Sequence, residues 1–405
     1  MTNAVIVSAV RTPIADAYKG ALAHVSIHDL AKTVVAEALK RSGVAAEDVD
    51  DLVLGEVLHG GGDVARYVAV DLGLPPDTPG LAVNRQCATG MSALDVAAAE
   101  IMAGMNTVAI AGGAAAMTQA PATYLKPATP YGHMTQWLSP SHPDVPEAPN
   151  MNMLITVGEN TADQCGITRE DMDEWSYHSH MKAVAAIDEG RFDDEIVPVT
   201  VPAGRGPGPS GPARSAESGE NATLFTTDEH PRRDTTMERL ASLRGLTAQG
   251  RVTAGNSSPI NDGSAALVLC SDDYAAAHGL DVLAVVKSWA NVGVPPHETG
   301  MGPTVAIPRA LERAGMTVGD LDMVEINEAF ASMAVACTRV LGLDPAIVNV
   351  NGGAVALGHP VACSGARILV TMIHELRRRG GGVGVGSLCA GGGMGAATVL
   401  EVLPG

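Results

Sequence analysis

At 405 residues the chain is too long for one small core and suits two or three domains of ~100–200 residues. With 46% hydrophobic and 18% charged residues it carries ample apolar side chain to fold, and a net charge of −19 argues against nucleic-acid binding through a general basic field. Three Trp, six Tyr and three Phe stand beside 46 Gly, so the core is built from Ala, Val, Leu, Ile and Met with many close backbone approaches.

The first residues, MTNAVIVSAVRTP, hold an apolar run too short for a signal peptide, which predicts a cytoplasmic protein. Residues 36–57 (AEALKRSGVAAEDVDDLVLGEV) read as the end of an amphipathic helix, a Gly cap, an acidic turn and a buried strand. Next comes NRQCATGMSAL (84–94), which sets Cys87 between an extended segment and an Ala-rich helix. At a helix N-terminus the dipole and free N–H groups favour a thiolate nucleophile, whereas an isolated Cys is more often simply buried. Residues 101–125 carry no charge, but Asn106, Gly112-Gly113, Gln119 and Pro121 interrupt them. A buried helix–strand pair fits better than a membrane span.

Residues 121–153 form a long loop rich in Pro, His and Met, of the sort that is usually functional. Met134, Met151 and Met153 lie in it as packing or as substrate wall. A single helix follows, capped by Thr168 with Glu170 and Asp171 in its first turn. The Gly/Pro/Ser stretch 203–222 loops over the surface or is mobile. Arg232, Arg233, Arg239, Arg244 and Arg251 then cluster as a solvated helix face or as a local phosphate site, two readings that stand level. Residues 252–272 return to the first half with a turn, a helix start and a strand.

At 308–329 the first pattern reappears as PRALERAGMTVGDLDMVEINEA, at an offset of 272, with seven identities in the twenty positions from 38 to 57. NRQCATGMSAL is matched by HPVACSGARIL (359–369), and AIAGGAAAM (109–117) by SLCAGGGMG (387–395), aligning Gly113 with Gly391. The order of elements is kept twice, so the economical explanation is two duplicated α/β halves. The chain divides into residues 1–120 plus 247–275 as the first half, 121–246 as an inserted loop domain, and 276–405 as the second half.

Packed about a pseudo-twofold axis, the loops carrying Cys87 and Gly112-Gly113 would meet those carrying His359 and Cys389. His359 is framed by Gly358 and Pro360, Cys389 precedes a glycine run, and Asn327-Glu328 ends the second-copy strand. Two thiols, an imidazole and a carboxamide in one cleft suit acyl transfer. No CxxC pair or zinc spacing occurs among the six cysteines, CAGGGMG lacks the dinucleotide spacing, and no GxSxG elbow is present.

Over nearly its whole length the sequence resembles the thiolase family, CoA-dependent acetyltransferases that make or cleave 3-ketoacyl-CoA. The matching motifs are VRTP (10–13), NRQCATG around Cys87, GGAAAMTQAP (112–121), TAGNSSPINDG (253–263), NEAFA (327–331), NGGAVALGHP (351–360) and CAGGGMG (389–395). The resemblance implies a five-layer α-β-α-β-α fold with an inserted loop domain covering CoA and substrate. It implies Cys87 as the acylated nucleophile, His359 as its activator, and Cys389 as acid or base on the α-carbon. Asn327 would position a water that completes an oxyanion hole with His359, and the N–H groups of Cys87 and Gly391 would form a second. Ser258 matches the position near the pantetheine arm and Arg232 the basic position beside the CoA nucleotide.

No metal and no resident cofactor are implied: CoA and acetyl-CoA are substrates, and the assembly expected is a homodimer or homotetramer. The family's GGxESMS reads GGAAAMT here, Thr89 replaces a Ser, Ala362 replaces a Gly, and Met153-Leu154-Ile155 replaces HMG. The last departure leaves acyl-chain length and branching open. Two other readings are weighed. A ketoacyl-synthase-type enzyme uses a second His where Cys389 stands, and an acyl-CoA or lipid carrier without turnover would have lost a catalytic group.

Overall fold

The computed structural model describes residues 2–150, 153–201 and 222–405. The first half runs β1 (Ala4–Arg11), a short β2 (Ala15–Asp16), α1 (Ile27–Ser42), β3 (Asp51–Gly55), α2 (Val64–Leu72), β4 (Leu81–Val83), α3 (Thr89–Met102) and β5 (Val108–Ala116). The segment after β5 carries a hairpin, β6 (Tyr124–Leu125) with β7 (Thr135–Gln136), then α4 (Met153–Cys165) and α5 (Arg169–Asp188). A paired β8 (Val199–Val201) and β9 (Thr223–Phe225) and the short α6 (Met237–Ala241) complete that segment. The chain then returns through β10 (Asn261–Ser271) and α7 (Asp272–His278). The second half comprises β11 (Ala284–Gly293), α8 (Gly302–Ala314), β12 (Met323–Ile326), α9 (Ala331–Leu341), α10 (Ala354–Leu357), α11 (Ser364–Arg378), β13 (Gly382–Ala390) and β14 (Met394–Val402).

The strands run β12-β13-β14-β11-β1-β10-β5-β3-β4, with only Val5↔Val285 and Ile6↔Ala284 joining the halves at β1 and β11. Read outward from that junction, each side gives a first strand, a closing antiparallel strand and a buried strand, then the strand of the 272-offset repeat. The repeated helices end alike, on Gly43 (φ 71°) and Gly315 (φ 68°), in the left-handed region that favours glycine. Both first strands also carry a bulge, between Ile6 and Ser8 and between Val286 and Ser288.

Five layers follow from which face each helix buries. The central pair, α3 and α11, shares one core with the inner faces of both sheets through Met91, Leu94, Ile368 and Leu369. Outside the first sheet, α1 and α2 bury Leu30, Val34 and Val68 against Leu52 and Ile110. Outside the second, α8 and α9 bury Ile307, Leu311 and Ala334 against Val324 and Val385. The central helices meet at small residues: a Cβ on Gly90 would stand 2.7 Å from Ala362 O, and one on Gly365 2.4 Å from Met91 N. That reciprocal contact is what a twofold relation between the copies demands.

The ladders correct the sequence alignment. Ala109 pairs with Asp51 and Gly384 with Met323, so β5 and β13 are related by 275, the offset that also relates Thr89 to Ser364. Gly113 therefore corresponds to Leu388 and not to Gly391, and Cys389 corresponds to Ala114. The two glycine runs look alike in sequence, yet Gly112-Gly113 lie inside buried β5 and Gly391 lies in the β13–β14 turn. Gly112-Gly113 are accordingly not on a loop. Nor does a helix begin between 252 and 260: the turn leads straight into β10, and α7 follows it.

The uncharged 101–125 segment is the end of α3 followed by β5, as expected, and α5 begins with a capping box between Thr168 and Asp171. Buried Arg11 on β1 pins the inserted segment through Glu195 (2.5 Å) and Asp228 (2.8 Å). No helix among the described residues is long and apolar enough to cross a membrane. Most of the Gly/Pro/Ser stretch (203–221), Met151 and the side chains of Met153-Leu154-Ile155 lie outside the described residues.

One buried carboxyl ties the copies together. Asp95 on α3 accepts from Asn291 on β11 (3.0 Å) and Thr398 on β14 (2.9 Å), and burial pushes it up to about 7 despite those bonds. Between its unfolded value near ~3.9 and about 7, the folded chain keeps a proton that the unfolded chain has lost. Stability from this group is therefore present at low pH and is lost as pH rises through that window. We expect wild type to lose more thermal stability between pH 5 and pH 8 than Asp95→Asn does, a difference on the order of a few kcal/mol. Parallel melting-temperature profiles would contradict this.

Candidate active site

Cys87 sits on an elbow between β4 and α3. Gln86 adopts φ 49°, and Thr89 Oγ1 accepts from Arg85 N (2.8 Å) while donating to Gln86 O (2.5 Å), which locks the turn. The thiol is 7% exposed and receives the N–H groups of Gly391 and of Cys87 itself. Burial nevertheless pushes it up to about 11. The helix N-terminus was expected to favour a thiolate; desolvation outweighs it, and the resting group is a thiol that needs a base.

Cys389 closes β13 and lies in an apolar wall with Val157, Met301, Phe330 and Met333, its Sγ 3.8 Å from Met333 Sδ. Its thiol is raised well above the ordinary value, first by burial and then by the charge that Cys87 would carry. The two sulfurs, one from each copy, are thus within electrostatic reach, and ionising both at once is costly.

His359 is oriented from two sides. Its N–H donates to Asn261 Oδ1 (2.8 Å), and its Nδ1 lies 2.6 Å from Ser364 Oγ. Assigning the hydroxyl proton of Ser364 to Pro360 O (3.0 Å) puts the ring proton on Nδ1 and frees the Nε2 lone pair, the tautomer that the base role requires. Nε2 is buried with no hydrogen-bond partner among the described residues. Burial first and the charge of Arg367 second lower the imidazole to about 4, leaving a neutral base at pH 7.

Asn327 follows β12 and donates its N–H to Ser387 O (2.9 Å). Its side chain is fully buried, yet neither amide atom has a partner among the described residues. Such a group is costly unless water or ligand meets it. The segment 253–263 aligns this strand end with the histidine, since Ser257 bridges Phe330 and Ile260 bridges His359. Half-buried Ser258 donates through both N (3.0 Å) and Oγ (3.2 Å) to Ala329 O.

Cys87, Cys389 and Gly391 are thus brought together directly, and the 253–263 segment joins Asn327 to His359. Arg232 lies at the surface, where its N–H donates to His180 Nδ1 (3.2 Å). Of the arginine cluster, Arg233 pairs with Asp188, Arg239 with Asp234, and Arg251 with Glu159 and Asp163. Arg232 and Arg244 are the members without an ion pair among the described residues. The long loop reaches the site: Ser141 Oγ would lie 2.8 Å from a Cβ added at Gly392. A cleft of about 470 Å³ opens elsewhere, beside Trp175, Ser179, Lys182, Glu328 and Arg339, and neither thiol nor His359 lines it. Sequence reasoning missed Asn261 and Ser364 as supports of the imidazole; the short polar residue five places after His359 was the available signal.

The family model described as "Thiolase, N-terminal domain" matches residues 4–273, and "Thiolase, C-terminal domain" matches 280–402. A 3-ketoacyl-CoA thiolase of Bacillus subtilis is 42% identical, covering 99% of this chain and 100% of that protein. An acetyl-CoA acetyltransferase of Paracoccus denitrificans is 40% identical, covering 99% and 100%. Among solved structures, human mitochondrial 3-ketoacyl-CoA thiolase superposes with a TM-score of 0.87 at 36% identity, covering 99% of each chain. The acetyl-CoA acetyltransferase of Bacillus anthracis gives the same TM-score at 38% identity, covering 100% of this chain and 99% of that one.

Proposed function

The chain belongs to the thiolase family, and from that premise we propose that it works through an acyl group carried on Cys87. It is a CoA-dependent acyltransferase that cleaves 3-ketoacyl-CoA thiolytically or condenses acetyl units in reverse. In the cleavage direction His359 Nε2 takes the proton of Cys87, and the sulfur attacks the 3-keto carbon. The C2–C3 bond breaks, its electron pair goes to C2, and the Cys389 thiol protonates that carbon to release acetyl-CoA. The Cys389 thiolate then takes the proton of an incoming CoA thiol, whose sulfur takes the acyl group from Cys87, and His359 returns its proton to the Cys87 sulfur as that leaves. Condensation runs the same steps backwards.

Charge that develops on oxygen would meet the N–H groups of Cys87 and Gly391, or His359 together with a water held by Asn327. Such pre-aimed donors typically contribute ~3–4 kcal/mol each. The observation that carries this reading is the convergence of two N–H groups on the Cys87 sulfur, beside a second thiol from the other copy.

The position of Cys389 favours this scheme over a ketoacyl synthase, and the presence of every catalytic group favours it over a carrier. Surface Arg232 suits the CoA phosphates and Ser258 the pantetheine arm. CoA serves as substrate, with no resident cofactor or metal. The division into 1–120 plus 247–275, 121–246 and 276–405 is supported by the return of β10 between β1 and β5. Exposed Tyr131, Met134 and Leu138 on the long loop support a homodimer or homotetramer; the cytoplasm as its location and fatty-acid metabolism as its setting complete the proposal. Thiolysis assays over a panel of 3-ketoacyl-CoA chain lengths test the reading: turnover with at least one member is expected, and binding without turnover of any would favour the carrier.

A further inference from the structure

The repeat keeps a glutamate just past the strand in both copies, at Glu56 and Glu328, and the two have different surroundings. Glu56 meets the N–H of His59 (3.3 Å). Glu328 is fully buried and accepts from four donors: Trp175 Nε1 (2.8 Å), Ser179 Oγ (2.8 Å), Asn349 Nδ2 (2.7 Å) and Val355 N (3.1 Å). These donors come from α5 of the inserted segment, from the turn after α9, and from α10.

Asn349, at φ 44°, also brackets the end of β12, accepting from Ile326 N (2.8 Å) and donating to Ile326 O (2.9 Å). Ser179 Oγ in turn accepts from Gly353 N (2.9 Å). A Cβ on Gly353 would stand 2.0 Å from Glu328 Cδ, so only glycine lets the chain pass the carboxylate. Glu328 is one peptide from Asn327, and Val355 is four residues from His359.

We infer that Glu328 is a positioning residue whose carboxylate, its two oxygens met by four protein donors, fixes the Asn327 strand end and the His359 segment relative to one another. This rests on the reading that Asn327 and His359 act together on the thioester oxygen. In Glu328→Gln the amide turns an NH2 toward donors that now meet an oxygen. Ser179 can rotate its hydroxyl to accept, but the Val355 and Asn349 donors cannot, so the strand end or the histidine segment loses its tether. A misplacement of ~1 Å is enough to cost about 100-fold in rate.

The test measures kcat and KM for thiolysis per acetylatable Cys87, in wild type, Glu328→Gln and Ser179→Ala. We expect kcat to fall about 100-fold in Glu328→Gln and about tenfold in Ser179→Ala, with KM nearly unchanged in both. A residue with only a structural role would lower the melting temperature and yield while leaving kcat per active site intact. If Glu328→Gln does not fold, Ser179→Ala decides alone. Wild-type kcat in the folded variants overturns the inference, whereas failure of the wild-type protein to acetylate Cys87 overturns the reading beneath it.

Discussion

Cys389→Ala is expected to stop carbon–carbon bond cleavage and formation while leaving acetyl transfer from acetyl-CoA to Cys87 intact. The two half-reactions ask different things of the site. In the proposed scheme acetyl transfer draws its nucleophile, base and oxyanion pocket from Cys87, His359 and the N–H groups at Cys87 and Gly391. It uses Cys389 only to protonate the departing CoA thiolate, a good leaving group that water can protonate instead. Bond cleavage adds a carbanion at C2, and in the proposed scheme the Cys389 thiol, kept protonated by its burial, is the acid that meets it. Removing a positioned acid or base typically costs 10²–10⁴-fold. We expect thiolysis to fall by about 10³-fold or more, with acetylation of Cys87 within a few-fold of wild type. Survival of thiolysis would remove Cys389 from the proton-transfer steps, and loss of acetylation would show that water cannot replace it in acyl transfer.

Cys87→Ala has a larger expected effect. Without the sulfur there is no acyl-enzyme, and the remaining groups bind substrate without opening a covalent route. Removing a nucleophile that works as a unit with its base costs about 10⁶-fold in well-studied hydrolases, and a loss of that order is expected for thiolysis here. A small change in melting temperature should accompany it, because the deletion removes one buried sulfur. The same residue gives a pH signature. With its thiol held up to about 11 by burial, alkylation of Cys87 by a neutral reagent should keep rising with pH beyond ~8.5, where a free cysteine levels off. A plateau near that lower value would mean that the N–H groups outweigh desolvation.

Much of the architecture was legible because the sequence repeats itself. The helix, glycine cap and strand shared by 36–57 and 308–329 appear as α1 with β3 and α8 with β12. Local grammar also exposed the Thr168 cap and the elbow at Cys87. What escaped depends on neighbours distant in sequence. A glycine pair inside β5 and a glycine turn after β13 are spelled alike, and only the ladder with β3 and β12 tells them apart. The thiol of Cys87 was expected to be depressed because a sequence displays the helix start that receives it and conceals the burial around it. Asn261 and Ser364 are common residues whose task appears only when His359 is folded between them. Glu328 stood in the repeat as one identity among seven, and the four donors that single it out come from segments far along the chain.

The most direct measurement is the mass of the wild-type protein after incubation with acetyl-CoA, followed by peptide mapping. The account predicts one acetyl group per chain, on the peptide containing Cys87, which is released when free CoA is added. An acetyl group on Cys363 or Cys389, or none at all, would contradict it.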